Sequence, residues 1–227
     1  MGMRGNEIGG GEEGMGEMTS SPAFHARERF SREIEAATRR RNPGRTSKLV
    51  TDWCVERLHL HASSGKILDL ACGNGRHIPD LRDGKSKVVA GDLSGPMLEV
   101  VIHDYPDTPL VRFEAERLPF GTGSFSGVFS ARFLHHVPAG DPRRTILSEM
   151  FRVATQCVVL TYKATPSFEQ AEVSLKYLLS RGSPSRYFYR WRELSEIAEA
   201  CGWKIAETFA PPPAFFTANR GILFRPR

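Results

Sequence analysis

KILDLACGNGRH, residues 66–77, runs from apolar residues into an acid and then breaks into glycine. The run reads as a short strand, and the break as a turn that brings the backbone close to a nucleotide-like ligand. In open α/β sheets such ligands bind beyond the carboxyl ends of the strands, where the strand order reverses. The dinucleotide fingerprint G-x-G-x-x-G requires a third glycine for close helix–strand contact. Counted from Gly73 that position holds Ile78, and counted from Ala71 it holds Arg76. Neither register fits a dinucleotide.

Outward from this turn, short apolar runs alternate with helical stretches. RHIPDLR reads as a helix, SKVVAGD as the next strand and GPMLEVVIHD as the next helix. PLVRFE, FSGVFS and CVVLTY are further strands, with the helix PRRTILSEMFRVA between the last two. A helix WRELSEIAEACG, closed by Gly202, precedes WKIAETFA and AFFTANRGILF, which suit an antiparallel hairpin at the sheet edge. Such alternation predicts a mostly parallel sheet of seven strands with helices on both faces. The domain is expected over residues 63–227. Residues 21–62 read as a helical cap segment, rich in arginine from Arg27 to Arg45, with a break at Asn42-Pro43-Gly44 and then TSKLVTDWCVERLHLH. Residues 1–20, rich in glycine and glutamate, read as a disordered tail.

The 227 residues are 40% hydrophobic and 25% charged, as in an ordinary globular chain. No apolar stretch approaches the roughly 20 residues of a membrane helix. Glycine and glutamate interrupt the N-terminus, which excludes a secretory signal and gives a cytoplasmic expectation. Cys54, Cys72, Cys157 and Cys201 are scattered without a CxxC pair, so reduced, packed thiols and no metal site are expected. The net charge of +5 permits acidic or phosphorylated partners without indicating any.

Asp69, Ala71, Gly73 and Gly75 stand as D-x-A-x-G-x-G, which resembles motif I of the class I S-adenosylmethionine (SAM)-dependent methyltransferases. Two further segments carry the same likeness: VVAGDLSGPML with Asp92, 17 residues after Gly75, and FEAERLPFGTGSF. The resemblance runs from Lys66 to Tyr162 and implies a Rossmann-like fold with SAM as methyl donor and S-adenosylhomocysteine (SAH) as product. It assigns the cofactor's amino-acid and ribose portions to the turn Asp69, Ala71, Cys72, Gly73, Asn74 and Gly75, with Asp69 toward the ammonium group. Asp92 would accept the ribose hydroxyls, with Leu93 and Met97 following it, although Met97 and Leu98 also suit the core. Ser94 suits the N-cap of that helix. Glu114, where aspartate is usual, and Ala115 would meet the adenine, and Ser130, at the end of the fourth strand, completes the cofactor-binding set. Ser126 replaces the usual aspartate after "SF", and RVATQCVVLTY lacks the family's Pro-Gly turn.

Methyl transfer depends mainly on alignment of donor and acceptor, so no universal catalytic residue is expected. SARFLHHV, residues 130–137, supplies the substrate-side candidates Arg132, His135 and His136. Either histidine suits a structural hydrogen bond or a general base, and Arg132 suits an acidic substrate or plain solvent exposure. SRGSPSRYFYRWREL combines Arg181, Arg186, Arg190 and Arg192 with Tyr187, Phe188, Tyr189 and Trp191. It resembles a segment of tRNA wobble-uridine methyltransferases, but also the pocket roof of many small-molecule enzymes. The leading expectation is a small or medium-sized organic acceptor at oxygen, nitrogen or carbon, in the manner of the ubiquinone/menaquinone group. A tRNA methyltransferase is the alternative, and a non-catalytic SAM-binding scaffold a third.

Overall fold

The computed structural model describes residues 44–227 except 63, 83–84, 168–169, 173, 176–185 and 215. The expected tail, residues 21–43 of the cap segment and Arg181 lie outside the described residues. Seven strands form one sheet in the order β3-β2-β1-β4-β5-β7-β6. They are β1 (Gly65–Leu70), β2 (Ser86–Asp92), β3 (Leu110–Arg112), β4 (Phe125–Ser130), β5 (Ala154–Lys163), β6 (Trp203–Phe209) and β7 (Asn219–Pro226). Strands β1 to β5 pair in parallel, whereas β7 runs antiparallel to both β5 and β6. The C-terminal antiparallel pair is therefore present, but β7 is inserted inside the sheet and β6 forms its edge.

Period-2 alternation divides the apolar residues between two cores. Leu68, Val128, Val158 and Ile222 face one core with Ile146, Met150 and Phe151. Their strand neighbours Ile67, Phe129, Val159 and Leu223 face the other with Val50, Cys54 and Leu58. The first core is covered by α4 (Asp141–Val153) and α5 (Trp191–Ala200), and the second by α1 (Arg45–His61). The described part of the cap segment thus shares a core with the sheet. Glycines let α1 approach: a Cβ on Gly127 would stand 2.9 Å from Leu58 Cδ1, and one on Gly221 2.7 Å from the Trp53 ring.

The remaining helices are α2 (Ile78–Leu81), shorter than its sequence suggests, and α3 (Gly95–Asp104). Ser94 caps α3, its Oγ accepting the Met97 N–H at 3.4 Å. Without the Pro-Gly turn, α4 ends at Val153 and β5 begins at Ala154 with no intervening loop. Two serines tie β4 to β1: Ser126 Oγ donates to the Lys66 carbonyl and Ser130 Oγ to the Leu70 carbonyl, each at 3.0 Å. Ser126 therefore does structural work where relatives of the motif carry an acid.

Among the described residues no helix is long and apolar enough to cross a membrane, and no histidine, cysteine and carboxylate cluster suits a metal ion. All four cysteines are free. The tightest backbone approach lies at Gly91, where an added Cβ would stand 2.1 Å from Phe113 Cε1 and 2.8 Å from the Val111 carbonyl. Gly91→Ala is expected to lower stability by about 1–3 kcal/mol through overpacking, read from the midpoint of urea denaturation.

Candidate active site

The strand order reverses between β1 and β4, and the carboxyl ends of both open at this point. Ala71 leaves β1 with φ 59°, a left-handed conformation that costs an L residue about 1–2 kcal/mol. Gly73 and Gly75 follow with φ 55° and 74°, and the turn closes through Gly75 N–H to the Cys72 carbonyl at 3.0 Å. A Cβ on Gly73 would meet nothing within 4 Å, so this part of the backbone is bare to a ligand. At Gly75 it would strike Ile78 and Tyr105, so that glycine serves packing. Cys72 is buried and Asn74 is half-buried within the same turn.

Asp92 ends β2 beside this turn. Its Oδ2 accepts the Gly73 N–H at 2.8 Å and its Oδ1 the Ser94 N–H at 2.9 Å. Burial raises its pKa, opposed by the N–H groups of Ser94, Gly73 and Leu93. Asp69 is 2% exposed, and its Oδ2 has no hydrogen-bond partner among the described residues. Burial, aided by the Asp92 charge, lifts its pKa from 3.8 to about 7. A buried acid without a partner is costly unless a donor or cation completes it.

Leu93 and Met97 are half-buried, whereas Leu98 is in the core. The third segment is held from α4. Glu149 accepts the Leu118 N–H at 2.8 Å, and Arg152 donates to the carbonyls of Phe120 and Leu118 at 2.8 and 3.2 Å. Glu114, exposed, and Ala115, half-buried, sit at the start of this pinned loop. Ser130 is 1% exposed, and its one hydroxyl proton is engaged by Leu70.

On the substrate side, Arg132 follows β4 with φ 61°, fixed by its N–H to Thr161 Oγ1 at 2.7 Å. Its side chain is exposed. His135 and His136 lie on a 3-10 turn (Leu134–His136) with ring centroids 4.0 Å apart. Burial, then the charges of His136, Lys163, Arg186 and Arg132, press the His135 pKa from 6.5 to about 2. His135 is thus neutral, and a weak base, at physiological pH.

Two features escape the sequence, His77 and the Arg143 clamp. His77 is half-buried with Nδ1 unbonded and 3.9 Å from Asp80 Oδ2, beyond hydrogen-bond reach. Burial, then the Arg76 charge, lowers its pKa to about 4. Arg143, 3% exposed, donates to both oxygens of Glu193 at 2.9 Å and lies 3.7 Å from the Tyr189 ring centroid. Tyr189 is fully buried and donates to the Leu134 carbonyl at 2.9 Å, so this clamp joins the aromatic segment to the histidine turn. Only Glu193's place in the first turn of α5 hinted at a fixed role.

Residues 68–157 match the family model described as a methyltransferase domain. This stretch is a methyltransferase domain. An uncharacterized chloroplastic methyltransferase of Arabidopsis thaliana is 31% identical over 151 residues, 61% of this chain and 42% of its own length. A demethylmenaquinone methyltransferase of Beutenbergia cavernae is 40% identical over 88 residues, 39% of this chain and 35% of its own. The chain therefore spans less than half the length of these two relatives. The magnesium protoporphyrin IX methyltransferase of Synechocystis, solved with bound SAH, matches with a TM-score of 0.71 at 16% identity, over 91% of this chain and 100% of that one. At that identity the likeness concerns the methyltransferase fold alone.

Two outcomes follow from this geometry. Between pH 4 and about 7 the folded chain holds a proton on Asp69 that the unfolded chain has released, so the ligand-free protein loses stability as pH rises through that window. Asp69→Asn should be more stable than the parent at pH 8, on the order of 2 kcal/mol, with the gain vanishing at pH 4. Arg143→Met should cost about 2–3 kcal/mol, since it leaves Glu193 without its partner, and a Glu193→Gln background should shrink that cost in a double-mutant cycle.

Proposed function

We propose that this chain is a SAM-dependent methyltransferase acting on a small or medium-sized organic acceptor at oxygen, nitrogen or carbon. The observation that carries the reading is the pairing of Asp92 with the bare glycine turn: each Asp92 oxygen holds one backbone N–H and keeps a lone pair for a ligand hydroxyl.

The residues fit the cofactor. Asp92 would hold the ribose hydroxyls, the unpartnered Oδ2 of Asp69 suits an ammonium group, and Gly73 leaves room for a flat contact. Glu114 and Ala115, on their pinned loop, would take the adenine. When bound, SAM supplies an electrophilic methyl group on a sulfonium. The protein's contribution is orientation. Asp92 locks the turn before any ligand arrives, so little of the binding free energy goes to ordering it. Ala71 and Arg132, both left-handed, follow adjacent strands where the strand order reverses. The Arg143 clamp holds the neutral His135 turn over the same strand ends.

The alternative of a tRNA acceptor rested on the arginine–aromatic segment. Tyr189 is buried beneath Arg143 and Tyr187 and Phe188 are half-buried, which leaves Trp191 as the one exposed ring of the segment for stacking and supports the smaller acceptor.

Calorimetric titration of SAH tests the reading. Saturable binding is expected, and no binding up to millimolar SAH would refute it. Asp92→Ala should weaken SAH by about tenfold or more, since charge-assisted hydrogen bonds contribute roughly 1.5–3 kcal/mol. The parent's affinity should fall as pH drops below about 7, where Asp69 takes up a proton. Tritiated methyl transfer to a panel of phenols, amines and carboxylic acids then reads out the acceptor class.

A further inference from the structure

Resting on the methyl-donor reading above, we infer that the acceptor carries an anionic group, a carboxylate or phosphate, received by Arg132 with Arg76 and Arg186.

Four elements bring cationic groups to one end of the sheet. Arg76 follows the glycine turn after β1, and Arg132 follows β4, the neighbour of β1. Lys163 ends β5, beside β4. The segment before α5 is bonded back onto this end: Tyr187 N–H donates to the His135 carbonyl at 2.8 Å and Tyr189 N–H to the Lys163 carbonyl at 2.7 Å. Arg186, exposed, precedes Tyr187 and so stands beside the histidine turn.

These charges act on one another. Partial desolvation of Arg132, and then the charges of Arg76 and Arg186, lower its proton affinity. His135 feels His136, Lys163, Arg186 and Arg132, with no acid acting on it, and Asp80 is the acid acting on His77. Among the described residues no ion pair joins Arg76 or Arg132 to a carboxylate. Elsewhere Arg57 pairs with Glu207, Arg143 with Glu193 and Arg152 with Glu149, whereas Arg112 and Arg220 spend their N–H groups on carbonyls. Arg76 and Arg132, like charges near one another with no carboxylate paired to either among the described residues, repel, and a ligand anion relieves that repulsion.

The backbone makes the same point. Arg132 holds a left-handed φ of 61° that a glycine would take without cost, and the Thr161 bond over-determines it. Strain of this kind collects where a side chain must be aimed. A guanidinium so placed presents the planar fork that carboxylate and phosphate oxygens match. The cluster converges on the end of the sheet that bears the glycine turn rather than spreading along a stripe, which favours a compact anion over a nucleic-acid backbone.

The test uses SAH-saturated full-length protein and paired probes: benzoate against benzamide, and phenyl phosphate against phenol. Binding is followed by calorimetry and by the ring-proton resonances of His135 and His136. The expected result is that at least one anion binds saturably and shifts both resonances, while its neutral partner binds at least tenfold more weakly. Benzoate and phenyl phosphate separately report which anion is received. Arg132→Gln and, independently, Arg76→Gln should weaken the anion at least fivefold with SAH affinity held within twofold. Normal SAH binding with equal affinity for anionic and neutral probes, or with neither bound, overturns this inference alone. Salt-sensitive tRNA binding that Arg132→Gln abolishes, without probe discrimination, overturns it in favour of an RNA surface. Failure of SAH to bind appears in the preceding titration and removes the donor reading instead.

Discussion

The carboxylate of Asp92 is the constraint on which the site depends. It draws the Gly73 N–H from the turn after β1 and the Ser94 N–H from the start of α3 onto one side chain. A second bond, from the Cys72 N–H to the Gly91 carbonyl at 3.0 Å, fastens the same two strand ends. Only an acceptor-only group with several lone-pair directions serves two backbone donors and leaves capacity for a ligand. An asparagine would present one donor face to an N–H group. The cost of burying this charge is offset by the bonds that organise the turn, so one residue supplies both shape and charge.

Much of the fold was legible because the apolar alternation is regular. FSGVFS is β4 and GPMLEVVIHD is α3, residue for residue. Asp92 was legible through the resemblance of VVAGDLSGPML to the methyltransferase motif that ends a strand in an acid. Three features were harder to read. Helix α2 holds four residues because the glycine turn extends to His77 and Arg82 is already extended. The Arg143–Glu193 pair joins residues 50 apart in sequence, and the Arg132–Thr161 bond residues 29 apart. No local pattern marks such contacts. Nor does sequence reveal proton affinity: LHHV gives no hint that burial and surrounding cations hold His135 far below an ordinary histidine.

Departures from the familiar motif are absorbed by compensating bonds. Ser126, in place of an acid, pairs with Ser130 to fix both ends of β4 on β1. The loss of the Pro-Gly turn brings α4 directly into β5, and Glu149 and Arg152, on that same helix, reach forward to steady the loop bearing Glu114 and Ala115. The loop bearing Glu114 and the histidine turn are thus both stiffened from α4, the first by Arg152 near its end and the second by Arg143 near its start.

The position of β7 has a consequence for how the chain comes to be folded. Residues 219–226 fill a gap between β5 and β6, pairing with β5 on one side and β6 on the other. Until that stretch emerges from the ribosome, β5 has an open edge bearing Val158, Val159 and Leu160, and β6 has no place to attach. The sheet is completed from its middle, by its last strand, through contacts distant in sequence and therefore slow to form. A nascent chain of this protein passes through synthesis with its longest described strand half unpaired, the condition under which chaperone binding and edge-to-edge association compete with folding.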